Sequence, residues 1–156
     1  MVFAVSCNSP IGTFWICGTE SAVTAVCFPD DPPGAAYVRK ETPLLRRAKE
    51  QLIAYWNGQR TSFDLPLQPA GTPYQKTVWQ ALQTIPYGET RSYGEIARQI
   101  GTPKAARAVG SANQRNPIPI FIPCHRVIGA DGSLTGYAGG REIKRFLLQL
   151  EHALQP

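Results

Sequence analysis

Three short apolar stretches open the chain, residues 2–7, 13–18 and 22–28, each rich in β-branched and aromatic side chains. Polar turn formers separate them: Asn8-Ser9-Pro10-Ile11-Gly12, then Gly18-Thr19-Glu20-Ser21. The pattern predicts a small antiparallel meander. The apolar period then lengthens. Leu45, Ala48, Leu52 and Trp56 recur at helical spacing, with Thr42 as the cap, Pro43 at the first helical position and Gly58 as the stop. Residues 64–73 are a Pro/Gly-rich connector. They divide the chain into a domain over 1–66, a connector over 67–73 and a second domain over 74–156.

The second half reads as mostly helical. A helix runs through Tyr74, Val78, Leu82 and Ile85. Ser92 with Glu95 three residues on makes a capping box, followed by Tyr93, Ile96, Ala97 and Ile100 on one face. Gly101 ends that helix, and Thr102-Pro103 caps and starts another that runs to about Asn113. Two short helices joined by a Gly-containing turn are a helix-turn-helix signature. At about 100° per residue, Ala105, Val109 and Ala112 share one face of the second helix, while Arg107, Gly110, Ser111 and Gln114 lie opposite and Lys104 flanks them. That outer face reads either as a plain solvated surface or as one small enough to enter a DNA groove. The last helix, Gly140–Leu154, has Ile143, Phe146, Leu147, Leu150 and Leu154 as its core face, with Glu151 at the edge. The fold class is α+β: a small α/β domain with an antiparallel sheet, then a mostly helical domain.

Charge favours nucleic acid as the partner. Residues 1–71 carry 6 basic and 6 acidic side chains, whereas residues 72–156 carry 10 basic and 5 acidic, so the whole net charge of +5 sits in the second half. A one-sided basic region is the footprint of a phosphate-backbone binder. No apolar run approaches the roughly 20 residues of a membrane span. The start of the chain lacks the basic segment of a secretory signal. The expected location is therefore cytoplasmic, or nuclear in a eukaryote. Cys7, Cys17 and Cys27 fit apolar strand positions. Without a fourth ligand or an export signal, neither a zinc site nor a disulfide framework is expected.

Cys124 stands apart because His125 follows it, at the end of the Pro-punctuated run Asn116-Pro-Ile-Pro-Ile-Phe-Ile-Pro. A free thiol titrates near pH 8.5, so a nucleophilic cysteine needs a base or a positive environment. His125 could take its proton, directly or through a water, and a carboxylate could orient the imidazole. Glu151 can point inward at such a partner. On position alone, a surface ion pair is the simpler reading of Glu151, and a buried structural thiol is the simpler reading of Cys124. Tyr93 reads as a core residue that could also serve a site at the domain edge.

Taken together, Arg107-Ala-Val-Gly-Ser-Ala-Asn113, Asn116-Pro, Pro123-Cys-His-Arg-Val127, Tyr137-Ala-Gly-Gly140 and Leu147-Leu-Gln-Leu-Glu151 resemble the O6-alkylguanine-DNA alkyltransferases, also called methylated-DNA–protein-cysteine methyltransferases. The match covers about residues 72–152, with the motifs in order; the first 66 residues resemble the family's N-terminal domain only loosely. The resemblance implies a winged-helix-like helix-turn-helix and a suicide reaction. An alkyl group on O6 of guanine, with O4 of thymine as a further candidate, would pass irreversibly to Cys124 after the base is flipped out. His125 would be the water-mediated base, Glu151 its orienter, and Asn116 the brace of the preceding turn. Arg107 would enter the duplex where the base was, and Tyr93 would help swing the nucleotide out. Gly94, Thr102, Lys104 and Ser111 would join Tyr93 and Arg107 against DNA in the minor groove. Asn113, Pro119, Val127, Tyr137, Ala138 and Gly139 would line the pocket with Tyr93. Some family members have Ser at the position of Ala138, and some hold zinc in the N-terminal domain; here no metal and no cofactor are expected, and the chain is expected to act as a monomer. The alternatives are a non-catalytic binder of alkylated DNA, a helix-turn-helix regulator and a Cys-His hydrolase.

Overall fold

The computed structural model describes residues 1–134 and 136–154. Residues 155 and 156, the end of the expected second domain, lie outside the described residues. The chain divides into two compact units, Met1–Ala70 and Gly71–Pro156.

In the first unit, β1 (Phe3–Ser9), β2 (Gly12–Gly18) and β3 (Val23–Cys27) form the expected antiparallel meander. A fourth strand, β4 (Val38–Arg39), pairs parallel with β1, so the order is β3-β2-β1-β4. It has only two residues, both exposed, too few to produce a periodic signal. α1 (Pro43–Trp56) begins where expected, because the Thr42 side chain accepts the Leu45 amide and Pro43 needs no partner for its nitrogen. Its Leu45, Ala48, Leu52 and Tyr55 are buried, as are Phe14, Ile16 and Val26 of the sheet. Gln51 holds the following segment against α1, its Oε1 accepting the Asp64 amide at 2.9 Å and its Nε2 donating to the Asp64 carbonyl at 3.2 Å.

The second unit starts with α2 (Pro73–Leu82), closed by a reciprocal capping box of Thr72 and Gln75. The helix stops three residues short of Ile85, which is buried in the turn beyond it. After β5 (Arg91–Ser92) comes α3 (Tyr93–Gln99), with both bonds of the Ser92–Glu95 capping box formed. Gly101 ends the turn at φ +83°, a conformation that side chains with a Cβ rarely adopt. α4 (Ala106–Gln114) begins later than Thr102-Pro103 suggests. The Thr102 carbonyl instead closes a turn with the Ala105 amide, and its hydroxyl lies 3.4 Å from the Tyr74 hydroxyl and 3.5 Å from the Ala97 carbonyl, so it does not cap α4. The Trp79 indole N–H donates to the Ala112 carbonyl at 2.8 Å and ties α2 to α4. A single 3-10 turn at Cys124–Arg126 leads into β6 (Val127–Ile128), which pairs parallel with β5. The last helix, α5 (Arg141–Leu150), ends before Glu151 rather than at Leu154.

The buried side of α5 also differs from the expected one. It carries Lys144, Leu147 and Leu148, with buried Glu151 one turn on, while Ile143, Phe146 and Leu150 are only half-buried. Apolar periodicity counts every charged residue as outward, and here two charged side chains point in. Among the described residues, no helix is long and apolar enough to cross a membrane.

Candidate active site

The run from Asn116 to Pro123 is a bracketed loop. Asn116 accepts the Ile118 amide on Oδ1 at 3.0 Å and donates from Nδ2 to the Ile122 carbonyl at 2.9 Å. Within that bracket the Ile122 amide bonds the Ile118 carbonyl at 3.0 Å. Ile120 sits at φ +74°, where a β-branched residue stores about 1–3 kcal/mol of strain. Surrounding bonds must over-determine such a residue, and the Asn116 amide supplies two of them. The loop then turns Cys124 inward, its own amide bonding the Ile122 carbonyl at 2.7 Å. Cys124 is 3% exposed and His125 fully buried.

The structure brings His125 and Glu151 together. His125 Nε2 lies 2.7 Å from Glu151 Oε2, with both side chains buried. Arg126 completes the group: its Nε donates to Glu151 Oε1 at 2.8 Å, one Nη to Oε2 at 3.0 Å and the other to the Ile85 carbonyl at 2.7 Å. The Tyr87 ring lies 5.9 Å from the Arg126 guanidinium, and its hydroxyl donates to the Leu150 carbonyl at 3.3 Å. Burial alone would raise the Glu151 pKa, but the hydrogen bonds and charges of His125 and Arg126 bring it down to about 2. Glu151 is therefore a carboxylate at neutral pH and can only accept, so Nε2 of His125 carries the proton. Burial lowers the His125 pKa, against the pull of Glu151, so the ring is neutral. Its Nδ1 is then a lone-pair acceptor, and the described residues offer that atom no hydrogen bond.

Burial pushes the Cys124 thiol up to about 11, although Asn116, the Lys144 ammonium and the Tyr137 hydroxyl each favour the thiolate. Lys144 is fully buried on α5 and donates from Nζ to the Val127 carbonyl. It lies 6.0 Å from the centre of the Tyr93 ring and 5.9 Å from that of Tyr137. Burial lowers its pKa to about 8, with Cys124 opposing. Burial also raises Tyr93, as does the charge of Cys124.

Of the expected pocket residues, Asn113, Pro119, Val127 and Tyr137 are buried, Tyr93 and Gly139 half-buried, and Ala138 exposed. Asn113 donates from Nδ2 to the Cys124 carbonyl at 3.2 Å. Gly136, at φ +75°, lies so close to Tyr93 that an added Cβ would fall 2.8 Å from its hydroxyl. On the helix-turn-helix, Lys104, Arg107 and Ser111 are exposed, and Gly94 and Thr102 are half-buried. Gly110, expected on the outer face, is half-buried near Tyr93. A recess of about 340 Å³ is lined by Thr102, Pro103, Lys104 and Ala105. Among the described residues no group of three or more His, Cys, Asp or Glu could hold a metal ion.

Sequence reasoning missed Arg126 and Lys144. The signal for Lys144 was available: it stands seven residues before Glu151, two helical turns away on the same face. Arg126 gave none beyond its place next to His125.

Comparison with known proteins covers both units. Residues 73–153 match the family described as 6-O-methylguanine DNA methyltransferase, DNA binding domain, and residues 2–69 match its ribonuclease-like domain. The N-terminal half is thus closer to the family than its sequence motifs suggest. A methylated-DNA–protein-cysteine methyltransferase of Methanosarcina acetivorans is 54% identical over 153 residues, covering 92% of this chain and 94% of the relative. A constitutive one of Bacillus subtilis is 62% identical over 113 residues, covering 72% and 68%. The crystal structure of the Mycobacterium tuberculosis O6-methylguanine methyltransferase superposes with a TM-score of 0.90 at 49% identity, covering 100% of this chain and 96% of that one. The same organism's OGT in complex with DNA also gives 0.90, at 50% identity over 97% and 93%.

Proposed function

The chain belongs to the 6-O-methylguanine DNA methyltransferase family, and is a methylated-DNA–protein-cysteine methyltransferase; from that premise we propose that Cys124 takes the alkyl group from O6-alkylguanine in duplex DNA, once per molecule. One observation carries the assignment of roles: a buried thiol is followed by a neutral imidazole whose far nitrogen is bonded to a carboxylate. That arrangement leaves Nδ1 of His125 as the acceptor for the thiol proton, directly or across a water. Glu151 holds the ring in this tautomer and stabilises the imidazolium once formed, and Arg126 keeps Glu151 ionised.

In the transfer step the Cys124 sulfur forms a bond to the alkyl carbon as that carbon's bond to O6 breaks. The thiol proton passes to His125, the departing guanine anion takes up one proton from water at a ring nitrogen, and His125 returns its proton to solvent, so one proton moves in all. Lys144 favours the developing thiolate by its charge. The product is a thioether, a poor leaving group, so the cysteine is not regenerated. The exchange is redox-neutral, and its steps call for no cofactor.

A stacked base hides its O6 substituent, so the nucleotide must leave the helix at a cost of a few kcal/mol. The exposed Arg107 on α4 would fill the gap it leaves, with Lys104 and Ser111 against the minor-groove backbone. Tyr93, half-buried between this face and Lys144, would guide the base inward. We place the protein in the compartment that holds the DNA, acting as a monomer.

The test is stoichiometry. Duplexes bearing O6-methylguanine, in excess over protein, are expected to lose one lesion per chain and then stop, and Cys124→Ala is expected to remove none while still binding the duplex. Continued turnover would point to a hydrolytic reaction. Loss of DNA binding in the variant would overturn the separation of roles.

A further inference from the structure

One turn reaches both members of the ion pair behind His125. Ile85, Pro86, Tyr87 and Gly88 follow α2, and the Glu89 amide closes their turn on the Pro86 carbonyl at 3.1 Å. The carbonyl of buried Ile85 accepts one Nη of Arg126 at 2.7 Å. The Tyr87 ring lies 5.9 Å from the same guanidinium, within range of a cation–π attraction. Its hydroxyl donates at 3.3 Å to the carbonyl of Leu150, the residue just before Glu151. Leu150 ends α5, where carbonyls run out of amide partners within the helix. Those of Leu147, Leu148 and Gln149 are taken by the amides of Glu151, Ala153 and His152, and that of Leu150 by Tyr87. Gly88, at φ +83°, completes the turn, and a Cβ there would lie 3.4 Å from the Glu151 carbonyl oxygen. The turn thus grips the Arg126 side chain at one end and the backbone that carries the Glu151 carboxylate at the other.

We propose that Tyr87 is a positioning residue for the alkyl transfer: its ring and hydroxyl lock Arg126 and Glu151 in place behind His125. This role rests on the alkyl-transfer reading, in which His125 takes the thiol proton, and Tyr87 acts through Glu151. The 2.7 Å bond from His125 Nε2 to Glu151 Oε2 holds only while the backbone at Glu151 stays where Tyr87 and Gly88 fix it. The charges acting on His125 are Glu151 at the end of α5, Lys144 on α5 and Arg126 on its own turn, and of these only Glu151 makes the imidazole more basic. A carboxylate that drifts away leaves the ring a weaker base with two cations facing it. Tyr87 is half-buried and Arg126 7% exposed, so the ring is part of the cover that keeps water from the ion pair. Burial and the charge of Glu151 raise the Tyr87 pKa, so its hydroxyl keeps the proton it donates.

The experiment compares the full unaltered chain with Tyr87→Phe, which keeps the ring and loses the hydroxyl, and with Tyr87→Leu, which loses both. Transfer from free O6-benzylguanine is followed against pH, and exchange of the His125 Nε2 proton with water is followed by NMR. Tyr87→Leu is expected to slow transfer about tenfold near neutral pH and Tyr87→Phe about twofold. In both, the rise of the pH–rate profile is expected to move to higher pH and the Nε2 proton to exchange faster. Melting curves restrict the comparison to folded chains, and Tyr87→Phe carries it alone if Tyr87→Leu does not fold. Slower transfer with the profile and the proton exchange unmoved would be a packing defect and would overturn the proposal, as would variants that react at the unaltered rate. An unaltered chain that takes no benzyl group would instead count against the alkyl-transfer reading; the proton exchange, which needs no reaction, would still decide whether Tyr87 holds Glu151 on His125.

Discussion

The two units bury different kinds of side chain. In Met1–Ala70 the buried set is Phe14, Ile16, Val26, Leu45, Leu52, Tyr55 and similar residues, and the buried polar ones among its described residues, Thr42 and Gln51, are uncharged and bonded to nearby backbone. In Gly71–Pro156 the interior holds His125, Arg126, Lys144 and Glu151 together with Asn113 and Asn116. Each ion withdrawn from water costs several kcal/mol unless it is paired, so buried charge is a poor way to gain stability. The contrast locates the chemistry. One unit is packed for stability, and the other gives up part of its own to hold a base, a carboxylate and two cations around one thiol.

The contrast can be broken from either side. Glu151→Ala would leave His125 and Arg126 buried without their partner, and is expected to cost about 3–5 kcal/mol of stability and most of the alkyl transfer. Leu52→Ala in the first unit is expected to cost about 2–5 kcal/mol and to leave the transfer rate of the folded fraction unchanged. Denaturant unfolding followed by a transfer assay reads both. If Glu151→Ala proved as mild as a surface change, the buried network would not be holding the site.

Acid should weaken the second unit for the same reason. The folded pKa of Glu151, about 2, lies below its ordinary 4.5, so the carboxylate's contribution is complete above pH 4.5 and is lost as pH falls toward 2. Its size is on the order of 3 kcal/mol. His125 adds to the trend, because its folded pKa is lowered by burial and the unfolded chain takes up that proton first as pH falls below 6.5. Thermal melts between pH 7 and pH 3 are expected to fall, and in Glu151→Gln the part below pH 4.5 is expected to flatten.

Lys144→Met tests the cation beside the thiol. Without it the Cys124 pKa rises further, and each added unit slows transfer at fixed pH by about tenfold. A pH–rate profile with O6-benzylguanine distinguishes this from a packing defect, which would lower the rate without moving the profile. Arg107→Ala, on the exposed face of α4, is expected to weaken repair in duplexes severalfold and to leave reaction with free O6-benzylguanine unchanged. Equal losses on both would remove Arg107 from the role of helix-filling finger.

Local chemistry made much of this legible in the sequence. Thr42-Pro43 and the Ser92–Glu95 box declare helix starts through bonds between near neighbours, and both helices begin there. The start of α4 was misjudged because Thr102-Pro103 has the right residues for a cap but spends them on a turn and on Tyr74. β4 escaped because two paired residues carry no period. The inward position of Glu151 could be suspected from its place at the edge of an apolar face. Lys144 could have been suspected from its place two turns before Glu151 on the same face, but its partner, the Val127 carbonyl, is unmarked by side-chain type, and the pairing of Arg126 with Glu151 and the Ile85 carbonyl spans 25 and 41 residues that no local pattern connects.

The central claim is that Cys124 is the alkyl acceptor, and intact-protein and peptide mass spectrometry after incubation with a duplex carrying O6-methylguanine tests it most directly. A single methyl group gained on the Cys124 peptide, in proportion to protein and never beyond it, is the predicted result. A methyl group on Cys7, Cys17 or Cys27, or lesion-selective binding with no gain in mass, would contradict it.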